Sequence, residues 1–77
     1  MNYADGKRAS IGDRVALGDH AGIVVCSIDD AAYSDAYAEA DWAYLGEGVL
    51  IEFSGLGVIH YIEPDPDLQL VHRSTER

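Results

Sequence analysis

The sequence predicts a small, mainly β domain of five strands with one short helix, closed into a barrel, and three observations predict it. Residues 49–62 alternate apolar and polar positions on either side of Ser54-Gly55-Leu56-Gly57, the signature of two half-buried strands joined by a turn. Residues 14–17 and 23–28 repeat that arrangement, with a glycine-bounded loop between a short alternating run and a more apolar one rich in β-branched residues. Leu68, Leu70 and His72 then alternate with Gln69, Val71 and Arg73, which supplies a last strand. Two hairpins and a returning strand make five, and closure of the sheet would protect the edges.

The central hairpin is the densest apolar stretch. If Gly57 takes the left-handed position that closes a three-residue loop, Ser54 stands opposite Val58 and Phe53 opposite Ile59. One face then carries Val49, Ile51, Phe53, Ile59 and Tyr61, and the other carries Leu50, Glu52, Val58, His60 and Ile62. A two-residue loop would put His60 among the core residues, so the first register is preferred. It places Glu52 and His60 face to face.

In chain order, Asp5-Gly6 marks a tight reversal flanked by residues 1–3 and 8–10. Gly12-Asp13 opens the next unit, in which Val15 and Leu17 point inward and Arg14 and Ala16 outward. Residues 18–22 form a loop. The 29–48 insertion interrupts the β pattern. Its second half, residues 38–45, has the marks of a short helix: Glu39 and Asp41 at the start, alanine inside, and Gly46 just past the end. Trp42 and Leu45 are three apart and face the sheet together. Residues 33–37 are extended or turn-like, and a single helix over 31–45 is the competing reading. Pro64 and Pro66 make residues 63–67 a rigid connector with one tight turn at 65–68. The whole chain, 1–77, forms one domain, with residues 74–77 a frayed tail.

The first hairpin unit, GDRVALGDHAGIVVCSI, resembles the opening of SH3-like barrels, in which a Gly-Asp-x-Val strand leads through a glycine turn to a hydrophobic strand. The resemblance implies a small five-stranded SH3-like barrel, with the helix carried in the 29–48 insertion.

Composition bounds the function. The 77 residues allow one modest core, and a hydrophobic content of 48% is enough to fill it. Fourteen acidic residues against five basic ones give a formal net charge of -9, which repels a phosphate backbone and argues against nucleic acid as a partner. The same charge steers the chain toward a basic protein. A single cysteine, Cys26, excludes an internal disulfide framework. No apolar run reaches the length of a signal core or a membrane span, so a cytoplasmic location with no membrane partner is expected.

The residues that could carry chemistry read as packing or surface groups. Cys26 with His20, His60 or His72 would need a base within reach, but it lies in an apolar strand where cysteine is usually an inert packing residue. The three histidines lack the paired spacing of zinc sites, and Asp65-Pro66-Asp67 lacks the ligand pattern of a calcium loop. Asp29-Asp30 and Glu39/Asp41 read as a solvated face rather than an acid–base pair. The expectation is a non-enzyme without cofactor or metal.

The insertion is the informative segment. Tyr33, Tyr37, Trp42 and Tyr44 stand among Asp29, Asp30, Asp35, Glu39 and Asp41, and no lysine or arginine occurs between Arg14 and Arg73. Aromatic residues carry binding energy, and acids supply steering. Trp42 is assigned to plugging one end of the barrel, a role also open to Tyr44, whereas Asp29, Asp30, Tyr33, Asp35, Tyr37, Glu39 and Asp41 are the expected partner-binding residues. The segment WAYLGEGVLIEF followed by GVIHYIEPDPDLQLV is similar to small bacterial immunity proteins of type VI or related contact-dependent toxin systems. That resemblance implies a stoichiometric inhibitor that binds and neutralises a cognate, basic toxin. A small SH3-like adaptor or regulatory domain, binding a protein of the same cell, is the alternative.

Overall fold

A computed structural model describes residues 1–63 and 65–73 of the chain. Five strands form one antiparallel sheet: β1 (Arg14–Leu17), β2 (His20–Ser27), β3 (Val49–Phe53), β4 (Gly57–Tyr61) and β5 (Leu68–His72). Their order across the sheet is β4-β3-β2-β1-β5. Among the described residues β4 and β5 are not paired, so the sheet is not closed by a ladder. The helix is the single turn α1 (Glu39–Trp42), extended by a 3-10 turn over Ala43–Leu45. Together they span the segment expected to be helical, while Ser34 and Tyr37 form an isolated β-bridge in the extended half. The expected tail, residues 74–77, lies outside the described residues.

The predicted parity of the central hairpin holds and its register does not. Phe53 pairs with Gly57 rather than Ile59, and His60 stands opposite Leu50 rather than Glu52. The loop keeps three residues but is built from Ser54-Gly55-Leu56. Leu56 N–H donates to Phe53 C=O at 3.3 Å, with Gly55 at φ 84° inside that turn. Gly57, also at positive φ, is thereby drawn into the ladder. The pairing slips by two, which returns every side chain to its predicted face. Val49, Ile51 and Phe53 are accordingly buried, with Ile59 and Tyr61 packed against them. A second correction concerns the 18–22 loop, because β2 begins at His20 and pairs with Leu17, leaving a two-residue turn at Gly18-Asp19.

The sheet is covered on both sides. The N-terminal reversal forms as expected, with Asn2 bridged to Arg8, and it brings Met1, Tyr3 and Ala9 onto one face. There they join Val15, Val24, Ile51, Phe53 and Leu68. The opposite face holds Cys26, Ile28 and Leu50 beneath Tyr33, Tyr37, Trp42 and Leu45. β2 serves both faces through a bulge: Val24 pairs with Ile51 and Cys26 with Leu50, leaving Val25 as the extra residue. Without the bulge, Val24 and Cys26 would share a face.

Asp13 ties the termini to this frame. It is fully buried, and its Oδ2 accepts from the Tyr3 hydroxyl at 2.7 Å and from Ser10 N–H at 2.9 Å. The Arg73 guanidinium lies 3.6 Å from the same oxygen. Burial together with this carboxylate pushes the Tyr3 phenol well above its ordinary pKa. The Asp13 carbonyl accepts from Val24 N–H at 2.9 Å, beside the bulge. One residue therefore holds the N-terminal reversal, β2 and the end of β5.

Two predictions follow from this frame. Asp13→Ala strands the Tyr3 hydroxyl and the half-buried Arg73, and should cost about 3–5 kcal/mol in urea denaturation. Tyr3→Phe, which removes one charge-assisted bond, should cost about 1.5–3 kcal/mol. A loss below about 1 kcal/mol for Asp13→Ala would contradict the role given to it.

Gly48, at φ 95°, offers a second check. A Cβ there would lie 2.2 Å from the Tyr61 carbonyl oxygen, whereas at Gly46 (φ 83°) it would meet nothing within 4 Å. Gly46→Ala should cost about 1–2 kcal/mol for its left-handed backbone, and Gly48→Ala clearly more. Equal losses would show that the approach to Tyr61 is not a constraint.

Candidate functional site

The acidic, aromatic insertion leaves the sheet at the end of β2 and returns at β3. Its neck is set by residues 28–31. Ser27 and Ala32 exchange backbone hydrogen bonds of 2.8 and 2.9 Å across a turn in which Ala31 takes φ 53°. Gly48 C=O accepts from Ile28 N–H, and Gly48 N–H donates to Asp29 Oδ1 at 3.0 Å, so the two ends are stitched together. His60 Nε2 makes a 2.7 Å hydrogen bond with Glu47 C=O and fastens the return to β4. Ser34 Oγ donates to Val25 C=O at 2.8 Å, using the carbonyl at the bulge.

The seven expected contact residues divide into three groups. Asp29 and Asp30 are exposed residues whose charges are already partnered. Asp29 Oδ2 meets the N-terminal ammonium of Met1, and Asp30 Oδ1 accepts from Arg8 Nε at 2.9 Å and also from its Nη2. The Gly48 N–H, followed by that ammonium, holds the Asp29 pKa below its usual value, and Arg8 does the same for Asp30. Tyr33 and Tyr37 are half-buried and pack against Cys26, Ile28 and Leu50, with the Tyr37 ring 5.7 Å from that of Trp42. Asp35, Glu39 and Asp41 are exposed and form the outward side of the segment.

Trp42 packs inward as expected. Tyr44 does not plug the fold, since it is 78% exposed and is the aromatic this segment presents to solvent. Its spacing from Trp42 is the only signal in the sequence: two positions on, a short helix has turned to another side.

Other candidate groups are held in structural roles. Cys26 is fully buried, and burial raises its thiol pKa, which disfavours the thiolate. His20 Nδ1 bonds to Ser54 C=O at 2.9 Å, and His60 to Glu47 C=O. Among the described residues no three histidine, cysteine, aspartate or glutamate side chains converge as metal ligands. A cleft of about 420 Å³ is lined by Ala16, Leu17, Gly18, Pro66, Asp67 and Gln69, none of them in the insertion. No described helix is long and apolar enough to cross a membrane. Comparison with protein-family models, curated proteins and solved structures gives no match.

The two partnered carboxylates contribute to the pH dependence of stability in acid. Their folded pKa values lie below the ordinary 3.8, so their stabilisation is complete above that value. It is lost as pH falls through the depressed folded values. Both side chains keep contact with water, at 23% and 33% exposure, so screening makes the effect modest. Asp29→Asn/Asp30→Asn should lower the melting temperature at pH 7 and narrow its difference from wild type as pH falls below about 4. A difference that stays constant down to pH 2 would show that these pairs do not couple to folding.

Proposed function

We propose that this chain is a stoichiometric protein inhibitor, an immunity protein that binds and neutralises a basic bacterial toxin in the cytoplasm. The observation that carries this reading is the separation of charge. Asp35, Glu39 and Asp41 are exposed on the same insertion as Tyr44, whereas Arg8 is committed to Asp30 at its neck and Arg73 to Asp13. A surface of free carboxylates with an exposed ring suits a cationic protein partner, with charge setting the encounter rate and the aromatic supplying contact area. The burial of Cys26 and the carbonyl bonds of His20 and His60 favour a binding role over a catalytic one.

The scaffold proposed for this role is an SH3-like barrel. The order β4-β3-β2-β1-β5 supports it, as does the meeting of residues from both ends of the sheet in one cluster. Leu68 and Val15 share that cluster with Phe53, Ile59 and Tyr61, which favours a strongly curled sheet over a flat one.

The test is co-expression with the products of adjacent genes, followed by co-purification and growth rescue. Rescue by one of them is expected, with an association rate that falls as salt rises. Asp35→Lys/Glu39→Lys/Asp41→Lys should slow association about tenfold or more, since steering spans 10 to 10³, and Tyr44→Ala should speed dissociation. Tyr33→Ala and Tyr37→Ala are poor probes, because their rings pack on the core. Failure to bind or rescue against every neighbouring product would favour an SH3-like adaptor for a housekeeping protein.

A further inference from the structure

The two edges of the sheet are treated differently. At the β5 edge, Tyr3, Ala4 and Asp5 of the N-terminal reversal share a cleft with Leu68, Gln69 and Leu70, and Arg73 Nη2 donates to Arg8 C=O. At the other edge, β4 pairs only with β3. Among the described residues its one further hydrogen bond is the His60 side chain's contact with Glu47 C=O. β4 carries none of the usual protections of an edge strand. Its sequence GVIHY contains no proline, lysine or acidic residue, and its ladder with β3 runs without a bulge. Apolar side chains are exposed along it: Val58 is 38% exposed, with Leu56 at 46% and Ile62 at 49% beside its two ends.

The charged side chains around that edge are acidic, and the N-terminal ammonium is taken up by Asp29. Glu52 stands directly opposite Val58, and Glu47 is tied to His60. Glu63 follows two residues after the strand, and burial, with the Asp65 charge second, raises the Tyr61 phenol pKa. The described lysine and arginine side chains sit elsewhere. Lys7 and Arg8 belong to the N-terminal reversal, Arg14 to β1, and Arg73 follows β5. The open edge is thus flanked by acidic side chains, whereas at the covered edge cations and acids such as Asp5 and Asp67 are mixed.

We propose that β4 is a strand-addition site for an extended, lysine- or arginine-rich segment of a partner protein. This rests on the protein-binding reading above and adds a second surface, and a mode of pairing, to the one on the insertion. Main-chain hydrogen bonds to the open edge would supply affinity. On one face of the added strand cations would reach toward Glu52 with their aliphatic stems along Val58, and on the alternate face apolar groups would lie beside Ile59 and Tyr61. A second copy of this chain is the less suitable occupant, because it would set two acidic edges together in molecules of net charge -9.

The experiment uses an eight-residue peptide of alternating lysine and valine, followed by backbone amide NMR and hydrogen exchange on the full chain. Expected are shifts centred on residues 57–61, new exchange protection on β4, and at least tenfold weaker binding of a twin peptide N-methylated at alternate residues. A glutamate–valine peptide should not bind, and Val58→Lys should weaken the lysine–valine peptide about tenfold while leaving the other amide signals in place. Shifts confined to residues 33–44, equal binding of the N-methylated twin, or concentration-dependent self-pairing through β4 would each overturn the proposal. The two readings separate cleanly. Rescue from a toxin undiminished by Val58→Lys would keep the inhibitor and remove the edge site. Peptide addition to β4 without rescue by any neighbouring product would keep the edge site and remove the inhibitor.

Discussion

The carboxylate of Asp13 is the constraint on which the other contacts depend. It is buried beside a tyrosine hydroxyl, a backbone amide and a guanidinium, and a buried charge is tolerable only when such partners are in place. Satisfying it forces Tyr3, Ser10 and Arg73 to converge, which fixes the N-terminal reversal over one face of the sheet and anchors the end of β5. The arrangement is not fully satisfied. Asp13 Oδ1 and Arg73 Nε are buried without a hydrogen-bond partner among the described residues. A partly satisfied polar cluster is an energetic liability, but it also specifies one arrangement of three distant segments.

The bulge at Val25 has a comparable reach. A chain of this size has little core to spend on either face of a sheet, and β2 solves that by changing sides partway along. Its first half packs under the N-terminal reversal through Val24, and its second half packs under the insertion through Cys26. The uninterrupted apolar run at residues 23–26 reflects this double burial. Because the same bulge presents the Val25 carbonyl to Ser34, it also fixes where the insertion begins its return.

Those two devices sort the charges into working and spent. Asp13, Asp29 and Asp30 are consumed in holding the chain together, and they occupy Arg73, the N-terminal ammonium and Arg8 in doing so. What remains outward on the insertion and around β4 is acidic, namely Asp35, Glu39 and Asp41 with Glu47, Glu52 and Glu63, while exposed Lys7 and Arg14 lie on the N-terminal reversal and β1. The net charge therefore understates the asymmetry of the surface. Both the proposed inhibitor role and the proposed edge site depend on that sorting.

The sequence by itself determined the strand number, the two hairpins, the helical half of the insertion and the faces of β3 and β4. Those features follow from local periodicity and turn chemistry, and a pairing slip of two residues leaves the faces unchanged. Only the tertiary structure decided the register, since that depends on how positive φ at Gly55 and Gly57 is combined in one turn. Long-range proximity was equally invisible. Gly12-Asp13 reads locally as the opening of a hairpin, and its partners Tyr3 and Arg73 lie near opposite ends of the chain. The same holds for Asp29 and Asp30, which look like free carboxylates until the fold brings Met1 and Arg8 to them. Tyr33 and Tyr37 against Tyr44 is the last such case. All three are tyrosines among acids, and only packing against Cys26, Ile28 and Leu50 distinguishes the rings that build the core from the one left in water.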